Sequence, residues 1–198
     1  MYALVENNQF VKLMRTNKGF TLNDLQYPKE VFTLWTDAER KAIGIYPVRI
    51  DTTNKKDGEW YINANVSYAV SGDEVVGSYG TATAKAIDDR NGTDENGVEL
   101  NPVVVIKGLK TIKKEMIDNQ CAGILAPSDW MVVKATETGT TMDSGWKTWR
   151  ASVRTKCNSM QTQIDNASDV DALAALFTYT EQEDGTVTRP LGEFPVKE

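Results

Sequence analysis

The residues that could carry chemistry in this chain are carboxylates and thiols, because the sequence contains no histidine. Residues 88–97 read DDRNGTDENG, and these oxygen-rich side chains could bind calcium or supply two glycosidase-type carboxylates. The spacing does not fit an EF-hand loop, because Arg90 and Gly92 stand at the third and fifth positions from Asp88. No spacing selects two carboxylates as a catalytic pair. We therefore interpret the segment as a solvated loop.

The absence of histidine also excludes Ser-His-Asp and Cys-His catalysis and removes the commonest transition-metal ligand. Cys121 and Cys157 form no CxxC pair, so we interpret them as small core residues and predict no metal site. There is no glycine-rich phosphate-binding motif. The sequence therefore predicts a protein that is not an enzyme and has no cofactor.

Composition restricts the classes of partner. With 40% hydrophobic and 25% charged residues among 198, the chain has a globular composition. A net charge of −6 argues against a general nucleic-acid-binding surface. Four lysines at 107, 110, 113 and 114 form the one basic cluster, which we interpret as a solvated helix face. No apolar run is long enough to cross a membrane, and no signal peptide is recognisable, so we expect the protein to start in the cytosol.

The first part of the chain has the pattern of a small β-rich domain. Residues 2–5 and 9–14 read as a hairpin, and Thr36 with Glu39 forms a capping box that begins a short helix at 37–43. Strands are predicted at 45–50, within the alternating run 60–70, and at 74–83. We predict a strand-rich N-terminal domain at residues 1–87, followed by a polar linker at 88–100.

The second part has helical periodicity. One helix is predicted from Pro102 until Pro127 ends it, a second at about 143–166, and a third at 169–177 with Ser168 as its cap. The first two predict an antiparallel hairpin within a domain at 101–177. Residues 178–198 carry an Asp184-Gly185 turn signal and then predict an extended tail. The fold class that follows is α+β.

The segment from residue 125 to 164 resembles the C-terminal helical hairpin of bacteriophage tail fibre assembly proteins, also called tail assembly chaperones. The matching residues fall in three groups: Leu125, Ala126, Ser128, Asp129 and Trp130; then Glu137, Thr138 and Gly139; then Trp146, Trp149, Arg150, Val153 and Arg154. The start MYALVEN, the segment IGIYPV at 43–48 and the segment DGEW at 57–60 are similar to the N-terminal part of the same proteins.

The resemblance implies a non-enzymatic protein that acts in tail fibre assembly by binding a tail fibre or another tail protein. It implies the host cytoplasm during assembly as the location. The alternative is a permanent virion subunit of the tail, baseplate or fibre, and a weaker one is a glycan-binding accessory. Both the assembly factor and the virion subunit are compatible with a homo-oligomer.

The motif residues admit two kinds of role. Trp146, Trp149 and Trp130 could present an aromatic platform to a sugar, but the spacing of the first two favours packing in the hairpin core with Trp130 as a lid. Arg150 and Arg154 could bind a phosphate, but we favour an intramolecular role in which they hold a carboxylate such as Asp129 or Glu137. The motif is thus interpreted as architectural. Partner-binding residues are then expected on sheet edges, in the C-terminal tail and along the lysine face.

Overall fold

The computed structural model describes residues 1–197 and confirms the α+β class. The chain divides into two compact units, Met1–Thr83 and Ala84–Glu198. The five-stranded sheet lies in the first unit, and the four longer helices lie in the second. Each unit is described by itself below.

The first unit is built on one mixed sheet. Its elements are β1 Tyr2–Glu6, β2 Gln9–Met14, β3 Phe20–Leu22, β4 Leu25–Tyr27, α1 Asp37–Ala42, β5 Ile45–Asp51, β6 Tyr61–Ile62, β7 Val66–Ser71 and β8 Glu74–Tyr79, with a 3-10 turn at Lys29–Phe32. The sheet order is β2-β1-β5-β8-β7. The β5–β8 pair is parallel and the other neighbours are antiparallel. The predicted return strand at 74–83 therefore ends at residue 79.

Both faces of this sheet are covered, as the alternation along β1 requires. Ala3 and Val5 face one cluster with Val75, while Leu4 faces another with Phe32 and Ile45. Phe10 of β2 stacks on Tyr68 of β7 at 4.7 Å between ring centroids, so the two outermost strands of the sheet approach each other. The sheet is therefore strongly curled.

The predicted helix after Thr36 is confirmed together with its capping box. The Glu39 N–H donates to the Thr36 hydroxyl oxygen at 3.3 Å, and the Thr36 N–H donates to the Glu39 carboxylate at 2.7 Å. Gly44 follows with φ of +80°, where a Cβ would lie 2.7 Å from the carbonyl oxygen of Val5. Only glycine fits at this close approach of the chain to β1.

The second unit is mainly helical. Its elements are β10 Arg90–Asn91, β11 Val105–Ile106, α2 Leu109–Leu125, α3 Asp129–Thr138, α4 Ser144–Asp165, α5 Val170–Phe177, β12 Thr180–Glu181 and β13 Val187–Thr188; β9, Thr83–Ala84, lies at the boundary of the two units. α2 and α4 are antiparallel, because Leu125 lies beside Arg150 while Lys114 lies beside Asp165. The buried residues between them include Ile117, Val153 and Met160.

Three of the predicted boundaries in this unit are wrong. The first helix begins at Leu109 and not near Pro102, because the β-branched run at 103–106 favours a strand, and β11 pairs with β10. That pairing also gives residues 88–100, predicted as a polar linker, a strand and a tight turn closed by Asp94. The cap of α5 is Asp169 and not Ser168, since the carboxylate is the group that accepts the Ala172 N–H at 2.8 Å.

A further difference in secondary structure is α3. No helix is predicted between Pro127 and residue 143, but residues 129–138 form a helix. Asp129 lies in its first turn, where a carboxylate suits the helix dipole. Gly139 ends it in the left-handed conformation, with φ of +65°. The hairpin therefore contains an additional helix between its two long arms.

The C-terminal segment is not a free tail. After the hairpin of β12 and β13, residues 189–197 return along α4. Leu191 is completely buried, and its carbonyl oxygen accepts a hydrogen bond from the Lys156 ammonium at 3.0 Å. Residues 192–197 have no regular secondary structure, and this segment is docked on its own unit.

Candidate functional site

Helix α3 is the most exposed helix of the second unit. None of the side chains at residues 129–138 is buried. Trp130 is 57% exposed and Val133 is 54% exposed, although both are large and apolar. An amphipathic helix normally buries its apolar face, so this one lacks the contact that its composition favours.

Arg150 is the residue that holds the start of α3. Its guanidinium donates to the Leu125 carbonyl oxygen at 2.9 Å, to the Ser128 hydroxyl, and to the Asp129 carboxylate at 2.6 Å. The arginine is 5% exposed, and the Leu125 carbonyl is one of the acceptors that the end of α2 leaves unpaired. One side chain on α4 therefore fixes the end of α2 and the beginning of α3.

The two arginines of the motif do not act as a pair. Arg154 lies one turn after Arg150 but is exposed, whereas Arg150 is buried. Asp129 is the carboxylate that Arg150 holds, and Glu137 is exposed on the last turn of α3. Gly139 contributes by its backbone, as the cap of that helix. The interpretation of Arg150 as an intramolecular restraint agrees with this geometry, and Arg154 is left facing solvent.

A groove runs between α3 and α4 beneath the loop that joins them. We call it the α3–α4 groove and define it by Trp130, Val132, Ala135, Met142, Lys147 and Arg154. It consists of two adjoining cavities of about 380 Å³ and about 320 Å³, which share Ala135, Thr140, Thr141 and Met142. The walls are largely apolar, as in most sites that bind another molecule.

The charges along the groove are mostly positive. Lys134, Lys147 and Arg154 line it and have no carboxylate partner among residues 1–197. The one carboxylate in the lining is Asp143, which accepts the Trp146 N–H at 3.0 Å and so caps α4. Glu137 lines neither cavity. The groove is thus a positive surface on a chain whose net charge is −6.

The paired tryptophans are covered by the chain itself. Trp146 and Trp149 are half-buried and meet edge to face at 5.5 Å between ring centroids. The Trp149 indole N–H donates to the Pro195 carbonyl oxygen at 2.9 Å, and the Lys197 ammonium lies 5.5 Å from the centroid of the Trp146 ring. These contacts support packing rather than an open sugar platform. Trp130, interpreted as a lid, instead faces solvent.

The lysine face is neutralised by acidic neighbours. Lys107 contacts Glu115, Lys110 lies 3.3 Å from Asp88, and Lys114 lies 2.7 Å from Asp165. Lys113 is buried over the ring of Phe177. The cluster is therefore less available to a partner than its sequence indicates.

The acidic segment at 88–97 has structural contacts. Asp89 accepts the Gly108 N–H at 2.8 Å, just before α2 begins, and this bond lowers the pKa of Asp89, with help from Thr111. Asp94 accepts the N–H groups of Asn96 and Val98, both at 2.9 Å, within its own turn. No group of three or more Cys, Asp or Glu side chains within residues 1–197 is arranged to hold a metal ion.

The two cysteines face each other between α2 and α4. Both are free and buried. Burial raises the pKa of the Cys157 thiol to about 12, and the neighbouring Cys121 and the Asp118 carboxylate add to the increase. A thiol that stays protonated is a poor nucleophile, so the geometry suits core packing and not catalysis.

Two strand edges also expose apolar side chains. In the first unit, Val11 and Leu13 of β2 are exposed at one end of the sheet order. In the second unit, the exposed run is Val103, Val104, Val105 and Ile106, and within residues 1–197 β11 pairs with β10 alone. Leu13 borders a cavity of about 210 Å³, which is smaller than either of the two beside α3. The α3–α4 groove is therefore the strongest candidate site.

Sequence reasoning missed Val132, Lys134, Met142 and Lys147 as site residues. The signal that could have found them is the run WMVVKA at 130–135, which has the composition of an amphipathic helix. The predicted helices end at Pro127 and begin again at about residue 143, so this run was left outside any helix.

No helix within residues 1–197 combines the length and the apolar character that a bilayer-spanning segment needs. No protein-family model, no curated protein and no solved structure matches this chain significantly.

Proposed function

We propose that this protein is a non-enzymatic bacteriophage tail protein that acts in tail fibre assembly by binding a tail fibre or another tail protein. The binding takes place in the host cytoplasm during assembly. The α3–α4 groove is the surface that receives the partner. The resemblance of residues 125–154 to tail fibre assembly proteins supports the biological setting, and the geometry of that segment supports the binding role.

The observation that carries the proposal is the exposure of α3. Arg150 fixes the start of this helix in place, yet Trp130 and Val132, which line the α3–α4 groove, are exposed. A helix held rigidly with its apolar side chains exposed is pre-organised to bind, because binding then needs little further loss of conformational entropy from this surface. Exposed aromatic residues are also the residues that most often dominate protein interfaces.

Co-expression with the tail fibre protein of the same phage tests the proposal. We expect the wild-type chain to raise the yield of soluble, assembled fibre, and Trp130→Glu to remove that gain. Leu34→Glu is the matched control, because Leu34 is also an exposed apolar residue but lies in the first unit. Fibre yield that is independent of the chain, or equally lowered by both substitutions, would contradict the proposal.

Mass spectrometry of purified virions distinguishes an assembly factor from a permanent subunit. An assembly factor is absent from the finished particle, whereas a tail or baseplate subunit is present in a fixed ratio to the other tail proteins. The α3–α4 groove can serve either use. We propose the assembly role because the resemblance of residues 125–154 is to tail fibre assembly proteins.

A further inference from the structure

We propose that the α3–α4 groove binds an acidic amphipathic helix of the partner protein. This inference rests on the proposed function for its biological setting, but its physical argument comes from the groove alone. It specifies the chemistry of the occupant, which the proposed function leaves open.

The shape of the groove favours a helix. Its two adjoining cavities expose more apolar than polar surface, and its walls are two helices joined by a short loop. An amphipathic helix lays apolar residues at three-four spacing into such a channel. Trp130 lines one cavity and Val132 the other, and Ala135 and Met142 provide apolar contacts in both.

The positive charges of the groove indicate that the helix it binds is negatively charged. Lys147 and Arg154 extend from α4 on one side, and Lys134 lies on α3 with its ammonium 5.9 Å from the centroid of the Trp130 ring. None of the three has a carboxylate partner within residues 1–197, while the lysines at 107, 110 and 114 all have one. Carboxylates that flank the apolar stripe of a partner helix would complete these contacts.

The acidity of the whole chain argues against nucleic acid as the occupant. A surface that binds phosphates gains affinity from many cations, and the groove offers three free ones on a chain of net charge −6. A folded helix with a few carboxylates needs only a few cations and uses the apolar floor as well. The groove therefore fits an acidic helix better than a polyanion.

Two labelled peptides of about four turns test this inference. Both carry leucine at three-four spacing; one has glutamate and the other lysine at the flanking positions. Binding to the full chain is measured by fluorescence anisotropy. We expect the glutamate peptide to bind about tenfold or more tightly than the lysine peptide, and its affinity to fall as salt is raised.

Charge reversal provides the second arm. Lys147→Glu combined with Arg154→Glu should weaken the glutamate peptide about tenfold or more and strengthen the lysine peptide. The matched control is Arg15→Glu combined with Lys18→Glu, which changes one arginine and one lysine that are exposed in the first unit. Circular dichroism confirms that each variant is folded.

Equal affinity for the two peptides, binding of neither, or equal effects of the two double variants would overturn the inference. So would a single-stranded oligonucleotide that binds as tightly as the glutamate peptide. The proposed function is tested separately by fibre yield. If the glutamate peptide binds selectively while fibre yield does not depend on the chain, the proposed function fails and the acidic-helix site stands. If fibre yield depends on Trp130 but neither peptide is preferred, the proposed function stands and the acidic-helix site fails.

Discussion

The buried Arg150 side chain makes three hydrogen bonds that restrain the junction of α2 and α3. It satisfies the Leu125 carbonyl and the Ser128 hydroxyl and also holds Asp129. Arginine suits this position because its planar guanidinium directs several N–H groups toward separate acceptors, which a lysine ammonium cannot do at fixed geometry. The stability of the α2–α3 junction therefore depends more on hydrogen bonds than on charge.

Arg150→Met should lower the free energy of unfolding by about 2 kcal/mol, because it leaves the buried Ser128 hydroxyl oxygen without a donor and the Leu125 carbonyl with the Ser128 hydroxyl as its one remaining side-chain donor. Arg150→Lys should recover only part of that loss. Asp129→Asn should cost much less, since the Asp129 side chain is 60% exposed and water can replace its partner. Urea unfolding curves measure each difference.

Arg154→Met is the matched control for these variants. It makes the same substitution one helical turn away, where the side chain is exposed, and should change stability by less than about 0.5 kcal/mol. Equal destabilisation by the substitutions at residues 150 and 154 would contradict the restraint.

Cys157 should make the protein sensitive to alkaline pH. Burial raises the pKa of its thiol to about 12, whereas the thiol of an unfolded chain titrates near about 8.5. Between these values the unfolded state releases a proton that the native state keeps, so stability is full below the lower pKa and is lost as the pH rises towards the higher one. Unfolding measured from pH 8 to 11 should show this decrease.

Cys157→Ala isolates the contribution of the thiol. Lysine and tyrosine side chains also titrate in this range, so the comparison is between the slopes of wild type and variant. A flatter decrease in the variant is expected. Identical slopes would show that the thiol does not carry the effect.

Among the elements, the segment at residues 189–197 is the least predictable from sequence and one of the best anchored. Leu191 is completely buried, and Gly192 has φ of +81° with the Lys156 side chain directly beside it. The sequence indicates a proline-punctuated tail because it has no periodicity. Its position along α4 depends on long-range contacts, which local pattern does not contain.

Leu191→Ala should lower the free energy of unfolding by about 3 kcal/mol, because it removes a fully buried side chain and leaves a cavity. Val196→Ala is the control in the same segment, where the side chain is 85% exposed, and should have little effect. Thermal unfolding distinguishes the two. A tail that is free in solution would make both substitutions neutral.

The elements that sequence predicts well are those with a local cause. The hairpin of β1 and β2, the capping box of α1 and the long periodic stripe of α4 were all expected. β11 and α3 were not, because VVVI and WMVVKA are short apolar runs whose periodicity does not separate strand from helix or loop. The candidate site consequently shared only part of its residues with the prediction: Trp130, Trp146, Arg150 and Arg154 were named, whereas Val132, Lys134, Met142 and Lys147 were not.

On the scale of the whole molecule, carboxylates that cap turns and helices determine how the protein responds to acid. The pKa of Asp169 is lowered first by the Ala172 N–H and then by the Ser168 hydroxyl, and that of Glu39 is lowered by Thr36. Asp51 and Asp184 are lowered in the same way by Thr53 and Thr186. These groups lie in both units, so both should respond.

Stability should be steady from pH 7 to about 5 and should fall below about pH 4. A carboxylate with a lowered native pKa contributes its full stability above the unfolded pKa and loses it as the pH falls through the native one. Urea unfolding from pH 7 to 2.5 measures this profile. Asp169→Asn should reduce the acid-dependent part, whereas Asp24→Asn, which changes an exposed turn residue, should leave it unchanged.

Charge is distributed unevenly over the molecule. The overall balance is acidic, the sequence cluster of lysines is matched by carboxylates, and the groove beside α3 keeps its cations free. The positions of lysines in the sequence alone indicate the cluster at 107–114. The folded structure shows that carboxylates neutralise this cluster, so the candidate site lies at the opposite end of α2.

The exposure of Trp130 gives the molecule an intrinsic optical reporter. The other four tryptophans are buried or half-buried, so an aqueous quencher such as acrylamide should reach Trp130 first. A ligand that enters the groove will shield this indole and shift its emission to shorter wavelength. Tryptophan emission can then report how much of the groove is occupied by ligand. The measurement is made in real time on the unlabelled protein, with quencher or competitor present.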